Sequence, residues 1–317
     1  MQYIVITIIL VVFELLYFKI ADHYNIIDKP NYRSSHSISI IRGGGIIFPI
    51  AIILSYLFGY VSGLLTLAVV FVAVVSFIDD IKPLHQLPRF ASQVIAFLLV
   101  AYDLNLFVEA FWLLSIVLII LIGWINAFNF MDGINGISVL YALTAIVSFS
   151  VIPAHQANLP LLFTMGISCL IFGFFNVRKN AKTFAGDVGS ISLALFLGYF
   201  MIKTILDSAQ IGYILFFSVY GIDTVYTIIV RIKKKENIFQ AHRLHLYQYL
   251  VNEHKHSHIL IAALYAIVQL FVNGIVLFLE DKGLLTFFTA LAILLIIAFI
   301  YLIVRTKIVK TVTLNKK

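Results

Sequence analysis

The chain has 317 residues, of which 62% are hydrophobic and only 12% are charged, about half the charged share of a soluble domain. That composition excludes a water-soluble fold, and the absence of short alternating strands excludes a closed membrane barrel. The formal net charge of +7 does not signal nucleic acid, because Lys and Arg sit in short loops between apolar runs and form no basic domain.

Runs of about 20 apolar residues, enough to cross a hydrocarbon core of about 30 Å as a helix, recur along nearly the whole chain. Eleven transmembrane helices are predicted in one polytopic domain over residues 1–317, near 3–20, 44–61, 64–81, 89–102, 111–126, 136–154, 159–176, 189–206, 211–230, 258–279 and 284–304. The first run has no basic stretch before its apolar core and no clear cleavage site, so it reads as a retained span. The loop after it runs through Asp28-Lys29-Pro30 and ends in Arg42-Gly43-Gly44-Gly45 at the second helix. Consecutive glycines permit close backbone approach and Arg42 can reach phosphate; a flexible hinge is the plain alternative.

The third run closes on Asp79-Asp80. Adjacent carboxylates at a membrane boundary repel each other and are costly to desolvate, so they call for a cation, a proton or a basic neighbour. A solvated helix end beside Lys82 is the bland reading. Between the fifth and sixth runs lies Asn126-Ala127-Phe128-Asn129-Phe130-Met131-Asp132-Gly133-Ile134-Asn135-Gly136, a density of oxygen ligands and amides that a mere turn does not need. Cys169, the single cysteine, lies inside an apolar run and reads as a packing residue.

Ahead of the eighth run, Thr183-Phe184-Ala185-Gly186-Asp187-Val188-Gly189-Ser190 places a glycine-flanked carboxylate at a helix start. Free N–H groups and the positive dipole end favour phosphate there, and Asp187 could hold a metal that phosphate shares; an N-cap explains Asp187 alone. The ninth run contains Asp223, which should face inward because a lone carboxylate toward lipid is expensive. The longest loop holds Ala241-His242-Arg243-Leu244-His245-Leu246-Tyr247-Gln248, suited to anionic oxygens. Zinc ranks lower, since no Cys or carboxylate partner stands nearby. His254, His256 and His258 read as solvated loop residues.

With the first run starting outside, 20 of the 22 basic residues fall on the cytoplasmic side, leaving Lys203 and Lys282 opposite. The positive-inside rule therefore gives an outside N-terminus and a cytoplasmic C-terminus, and every polar cluster lands on the cytoplasmic face. No internal repeat is evident.

Taken in order from about Asp28 to Gln248, these five segments resemble the polyprenyl-phosphate N-acetylhexosamine-1-phosphate transferases, the WecA-like glycosyltransferase family 4, to which MraY is more distantly similar. The resemblance implies an all-α integral membrane enzyme of the bacterial inner membrane. It would move a sugar 1-phosphate from a UDP-N-acetylhexosamine to a polyprenyl phosphate within the lipid bilayer and release UMP. It implies Mg²⁺, with Mn²⁺ as the alternative ion, on Asn129 and Asp187; catalytic roles for Asp79, Asp80 and Asp132; and substrate binding by Arg42, Asn135, Phe184, His242, Arg243 and His245. Phe184 and Asn135 would contact uracil, and the His/Arg motif would handle the diphosphate or sugar. A homodimer is left open. Three departures matter: residues 38–41 contain no proline, Asn135 stands where many members have Asp, and the His-Arg-Leu-His form resembles an O-antigen subgroup. The donor sugar, whether UDP-GlcNAc, UDP-GalNAc or a UDP-6-deoxy-HexNAc, stays open. Two rivals are a secondary transporter, whose site should lie near the bilayer midplane, and a UbiA-type prenyltransferase, whose regularly spaced aspartates are not evident.

Overall fold

The computed structural model describes residues 1–28, 39–237 and 243–314. In chain order its helices are α1 (Gln2–His23), α2 (Ile47–Leu57), α3 (Gly63–Ile81), α4 (Gln86–Asp103), α5 (Phe111–Met131), α6 (Ile137–Ser150), α7 (Leu159–Asn176), α8 (Gly186–Ser208), α9 (Ser218–Lys233), a single turn α10 (Leu246–Gln248), α11 (His258–Asp281) and α12 (Phe287–Leu314). Each predicted run is helical over most of its length. Among the described residues, eight segments are long and apolar enough to cross a membrane, and Gly44–Leu57 and Ile137–Ser150 are apolar but shorter. The fourth predicted run, α4, mixes Gln86, Arg89, Ser92 and Gln93 with its apolar residues. The architecture is that of an all-α integral membrane protein with one small addition: β1 (Ile27–Asp28) pairs antiparallel with β2 (Ile40–Ile41).

Local chemistry sets several boundaries. Ser62 Oγ accepts the Leu65 N–H at 3.1 Å and starts α3, and Ser257 does the same for Leu260 at the start of α11. Pro83, just past Lys82, cannot continue α3. The helix α5 runs to Met131 rather than ending near 126, so Asn126 and Asn129 lie on its last turns and not in a loop. Their amides are satisfied across the bundle: Asn126 Nδ2 donates to Gln93 Oε1 of α4 at 2.8 Å, while Asn129 bonds residues of α8.

The helix α8 is the centre of the bundle. Its apolar window is 78% buried, against 6% for α12, which turns outward along nearly its whole length. Trp124 of α5 donates Nε1–H to the Ala194 carbonyl at 2.9 Å. Across the bundle, Tyr141, Gln269, Asn273 and Ser148 form a buried hydrogen-bonded chain joining α6 to α11, the polar fastening that membrane helices use where no hydrophobic force draws them together.

Two glycines have a specific steric task. A Cβ on Gly45 would lie 2.3 Å from the Gly189 Cα, and one on Gly189 would lie 2.6 Å from the Gly45 Cα. The triple glycine therefore serves first to let the turn Gly44–Ile46 cross the start of α8 backbone to backbone. Gly189→Ala should destabilise the fold by about 1–3 kcal/mol through overpacking. Gly274→Ala, whose Cβ would meet nothing within 4 Å, should be neutral; thermal melts of the two variants in detergent check this.

Candidate active site

The end of α3, the start of α4, the last turns of α5 and the first turn of α8 converge at one end of the bundle, together with the loop that carries Arg42. Asp80 is the hub. Its Oδ1 accepts Arg42 Nε at 2.7 Å and the Asp187 N–H at 2.9 Å, and its Oδ2 accepts the Val188 N–H at 3.0 Å. A carboxylate of α3 thus caps α8, where orphan N–H groups and the dipole favour negative charge. Gly186 leads into that cap at φ +69, and a Cβ there would fall 2.5 Å from Asp80 Oδ2.

Asp79 and Asp187 meet on a second guanidinium. Arg89 NH1 lies 3.3 Å from Asp79 Oδ2, and its NH2 lies 3.2 Å from Asp187 Oδ2. Asp79 also accepts the Leu84 N–H at 2.6 Å. Asp187 Oδ1 takes Asn129 Nδ2 at 3.1 Å and stands 3.8 Å from Arg42 NH2. Asn129 Nδ2 further reaches Ser190 Oγ at 2.8 Å. Both arginine side chains are 34% exposed. Among the described residues no group of three His, Cys, Asp or Glu side chains forms a metal cage.

Backbone pairing stitches the motif segments together. Phe184 N–H donates to the Ile41 carbonyl at 2.8 Å, and the Phe184 and Ala185 carbonyls accept the Gly44 and Gly45 N–H groups at 3.0 and 3.1 Å. The Phe184 side chain is half-buried. Asn176 ties two more segments: its Oδ1 accepts the Gly136 N–H at 2.7 Å and its Nδ2 donates to the Thr183 carbonyl at 2.8 Å. Asn135 is buried, with Nδ2 held by the Arg178 and Lys179 carbonyls at 2.7 and 3.3 Å, and its Oδ1 has no partner among the described residues. Asp132 is half-buried just past α5. Desolvation pushes its carboxyl up to about 6, and the charge of Asp187 adds to the effect.

The His/Arg segment differs from a solvated ligand loop. His242 lies outside the described residues, and Arg243 is half-buried. His245 is only 1% exposed, its Nδ1 3.0 Å from Asp223 Oδ1, because the short helical turn behind it packs the ring inward against Tyr247. Two later histidines also need correction. His258 Nδ1 accepts the Asn135 N–H at 3.3 Å, and His254 Nε2 lies 3.2 Å from Thr311 Oγ1 of α12, so neither is merely solvated.

Arg89 and Asn176 belong to the site although sequence reasoning passed over them. Arg89 reads as an ordinary boundary charge, and only its place one short loop beyond Asp79 hints at more. Asn176 ends an apolar run, and a buried amide in such a place asks for partners.

A groove of about 640 Å³ lies between α5, α9 and α12. It follows α5 from Ile120 to Ala127, about 10 Å of helix, and so ends within one turn of Asn129. Ile120, Val225, Ile229 and Leu295 on its walls are each more than a third exposed, so it opens sideways on the apolar surface.

Comparison with known proteins gives this geometry a context. The family model described as Glycosyl transferase family 4 matches residues 62–205. The phospho-N-acetylmuramoyl-pentapeptide-transferase of Lactococcus lactis subsp. cremoris is 36% identical over 111 residues, covering 34% of this chain and 33% of the relative. That of Streptococcus suis is 31% identical over 182 residues, covering 48% and 54%, and that of Streptococcus thermophilus is 28% identical over 192 residues, covering 49% and 56%. The chain spans between a third and a little over half the length of these curated relatives. Residues 62–205, the segment that resembles glycosyl transferase family 4, carry Asp79, Asp80, Arg89, Asn129, Asp132 and Asp187.

Proposed function

We propose that the protein is a membrane phosphoglycosyltransferase that moves an N-acetylhexosamine 1-phosphate from a UDP-sugar to a polyprenyl phosphate, undecaprenyl phosphate in a bacterial inner membrane, and so starts a lipid-linked glycan. The observation that carries it is the convergence of Asp79, Asp80, Asn129 and Asp187 with Arg42 and Arg89 at one end of the bundle. Eleven spans, an outside N-terminus, a cytoplasmic C-terminus and a cytoplasmic site complete the reading, supported by the distribution of Lys and Arg. UDP-GlcNAc is the first donor; UDP-GalNAc and UDP-6-deoxy-HexNAc are alternatives, and the relatives' name adds a phospho-N-acetylmuramoyl-pentapeptide donor.

The two guanidiniums offer forked donors to a diphosphate. Three carboxylates, Asp79, Asp80 and Asp187, stand against these two cations, which leaves one formal negative charge for a further cation to balance. That donor set fits magnesium, an ion held by one or two carboxylates together with substrate phosphates, with Mn²⁺ as the alternative; Asp187 and Asn129 would hold it. When bound, the ion supplies charge neutralisation at the diphosphate. The half-buried Phe184 ring suits stacking on uracil, and Asn135, whose Oδ1 has no partner among the described residues, suits an N–H of the base. The apolar groove suits the acceptor's hydrocarbon chain.

In the transfer, an acceptor phosphate oxygen forms a bond to the sugar-bearing phosphorus while that phosphorus parts from the oxygen that leaves with UMP. Positioning and charge supply most of the rate. Asp80 is committed to three donors and serves as a positioning residue, whereas Asp132, with its raised pKa near the second ionisation of a phosphate monoester, about 6, is matched to take a residual proton. UMP release should therefore rise with pH through about 6, because below that value Asp132 keeps its own proton. Asp132→Asn should lower kcat about 10²-fold and leave a limb with one ionisation, the acceptor's, where the wild type shows two.

The decisive assay supplies purified protein with undecaprenyl phosphate, Mg²⁺ and a panel of UDP-HexNAc donors, then measures UMP and weighs the lipid product by mass spectrometry. UMP release with a matching lipid diphosphate sugar is expected. No turnover with any donor overturns the proposal.

A further inference from the structure

Asp223 lies within α9, is 0% exposed, and takes no part in the cluster of Asp79, Asp80 and Asp187. Its Oδ2 accepts the Tyr265 hydroxyl of α11 at 2.6 Å, and its Oδ1 accepts the Tyr301 hydroxyl of α12 at 3.1 Å. The same carboxyl faces His245 Nδ1 at 3.0 Å and accepts the Leu246 N–H at 3.3 and 3.2 Å. Arg305 of α12 stands 3.9 Å from Oδ1 and donates to the Leu244 carbonyl at 2.6 Å. Three consecutive residues, Leu244 to Leu246, are thus fastened to a carboxyl on one membrane helix and a guanidinium on another.

The same corner is tied to the candidate site. The Tyr247 hydroxyl donates to the Phe130 carbonyl at 3.1 Å. Gly133 has no room for a side chain, since its Cβ would lie 2.2 Å from that hydroxyl. The backbone between Asn129 and Gly133 and the turn that follows Arg243 therefore share one wall. A carboxyl buried in a membrane helix is costly unless donors surround it. Here they come from α11, from α12, from the loop and, within α9, from Thr227 Oγ1 at 3.3 Å, an arrangement that locks a loop corner as well as bracing α9.

We propose that Asp223 is a positioning residue for the transfer: it fixes the corner Leu244–Leu246 and thereby the place of the adjoining Arg243 beside the wall shared with residues 129–133, without touching substrate. His245 belongs to this anchor. The role given to Arg243 rests on the transfer reading above; the fixing of the corner does not.

Hydrogen exchange on the whole purified protein tests the anchor. In Asp223→Asn, amides of residues 244–248 should exchange at least about tenfold faster, as expected for losing a buried hydrogen-bonded acceptor, while the amides of α8 stay unchanged. In the UMP assay the KM for the UDP-sugar should rise about tenfold with kcat within about threefold, the signature of a lost binding arrangement rather than lost chemistry. His245→Gln should produce the same split, and the double variant should be no worse than either single one, since residues that act as a unit are not additive. Unchanged exchange at 244–248, or KM effects that multiply, overturns the proposal. Should Asp223→Asn fail to fold, Tyr265→Phe and His245→Gln keep the carboxyl and carry the same measurement; unchanged exchange in both is equally fatal. If the wild type releases no UMP, the transfer reading falls, and the exchange experiment alone decides whether Asp223 holds the corner.

Discussion

Asp187→Asn is expected to cut UMP release about 10³-fold, the scale of losing a charged group that stabilises a phosphoryl transfer. The side chain lies between two guanidiniums and the Asn129 amide, so removing its charge leaves Arg42 and Arg89 with fewer counter-charges and takes away the only carboxylate assigned to the metal. The fold should survive. What caps α8 is the N–H of residue 187 donating to Asp80, and that contact does not depend on the side chain at 187. The measurement is kcat over a Mg²⁺ titration, with a thermal melt as control. Full activity, or a loss accompanied by unfolding, would remove the proposed role.

Asp80→Asn should behave differently, losing stability and activity together. Asparagine has one acceptor oxygen where Asp80 serves two buried N–H groups and the Arg42 Nε, and its own amide donors would point at other donors. Breaking a buried pair of this kind costs about 3–5 kcal/mol. Asp79→Asn gives the contrast, because Asp79 holds one backbone N–H and one side of Arg89. It should reduce turnover with a much smaller change in the melting transition. Equal melting shifts for the two variants would contradict the division of labour between the paired aspartates.

The helices were legible because a long apolar run is a one-dimensional signal, and a membrane span needs little else. Where the sequence misled, the missing information was always a partner far along the chain. Asn126 and Asn129 look like loop amides until Gln93 and Asp187 are seen to satisfy them, which lets α5 continue to Met131. Gly44 and Gly45 read as a ligand cradle, yet their first task is to admit Thr183 and Gly189. Arg89 carries no local mark of its two carboxylates. The inward turn of Asp223 followed from the cost of desolvating charge, but its partners Tyr265 and Tyr301 sit in apolar runs where a tyrosine attracts no notice, and His245 read as a group for anionic substrate oxygens because nothing nearby in sequence told of the carboxyl facing it. The paired aspartates and the glycine-flanked Asp187 were readable because adjacent charge at a membrane edge is improbable without a use.

The sideways opening between α5, α9 and α12 bears on how encounter happens. A ligand that enters there arrives by lateral diffusion in two dimensions, so its relevant concentration is its mole fraction among the surrounding amphiphiles, not its amount per volume of water. Under the proposed transfer, adding inert detergent or lipid at fixed total acceptor would then dilute the reaction, while the water-borne donor would be unaffected. Activities measured in micelles and in vesicles become comparable only when expressed on that surface scale.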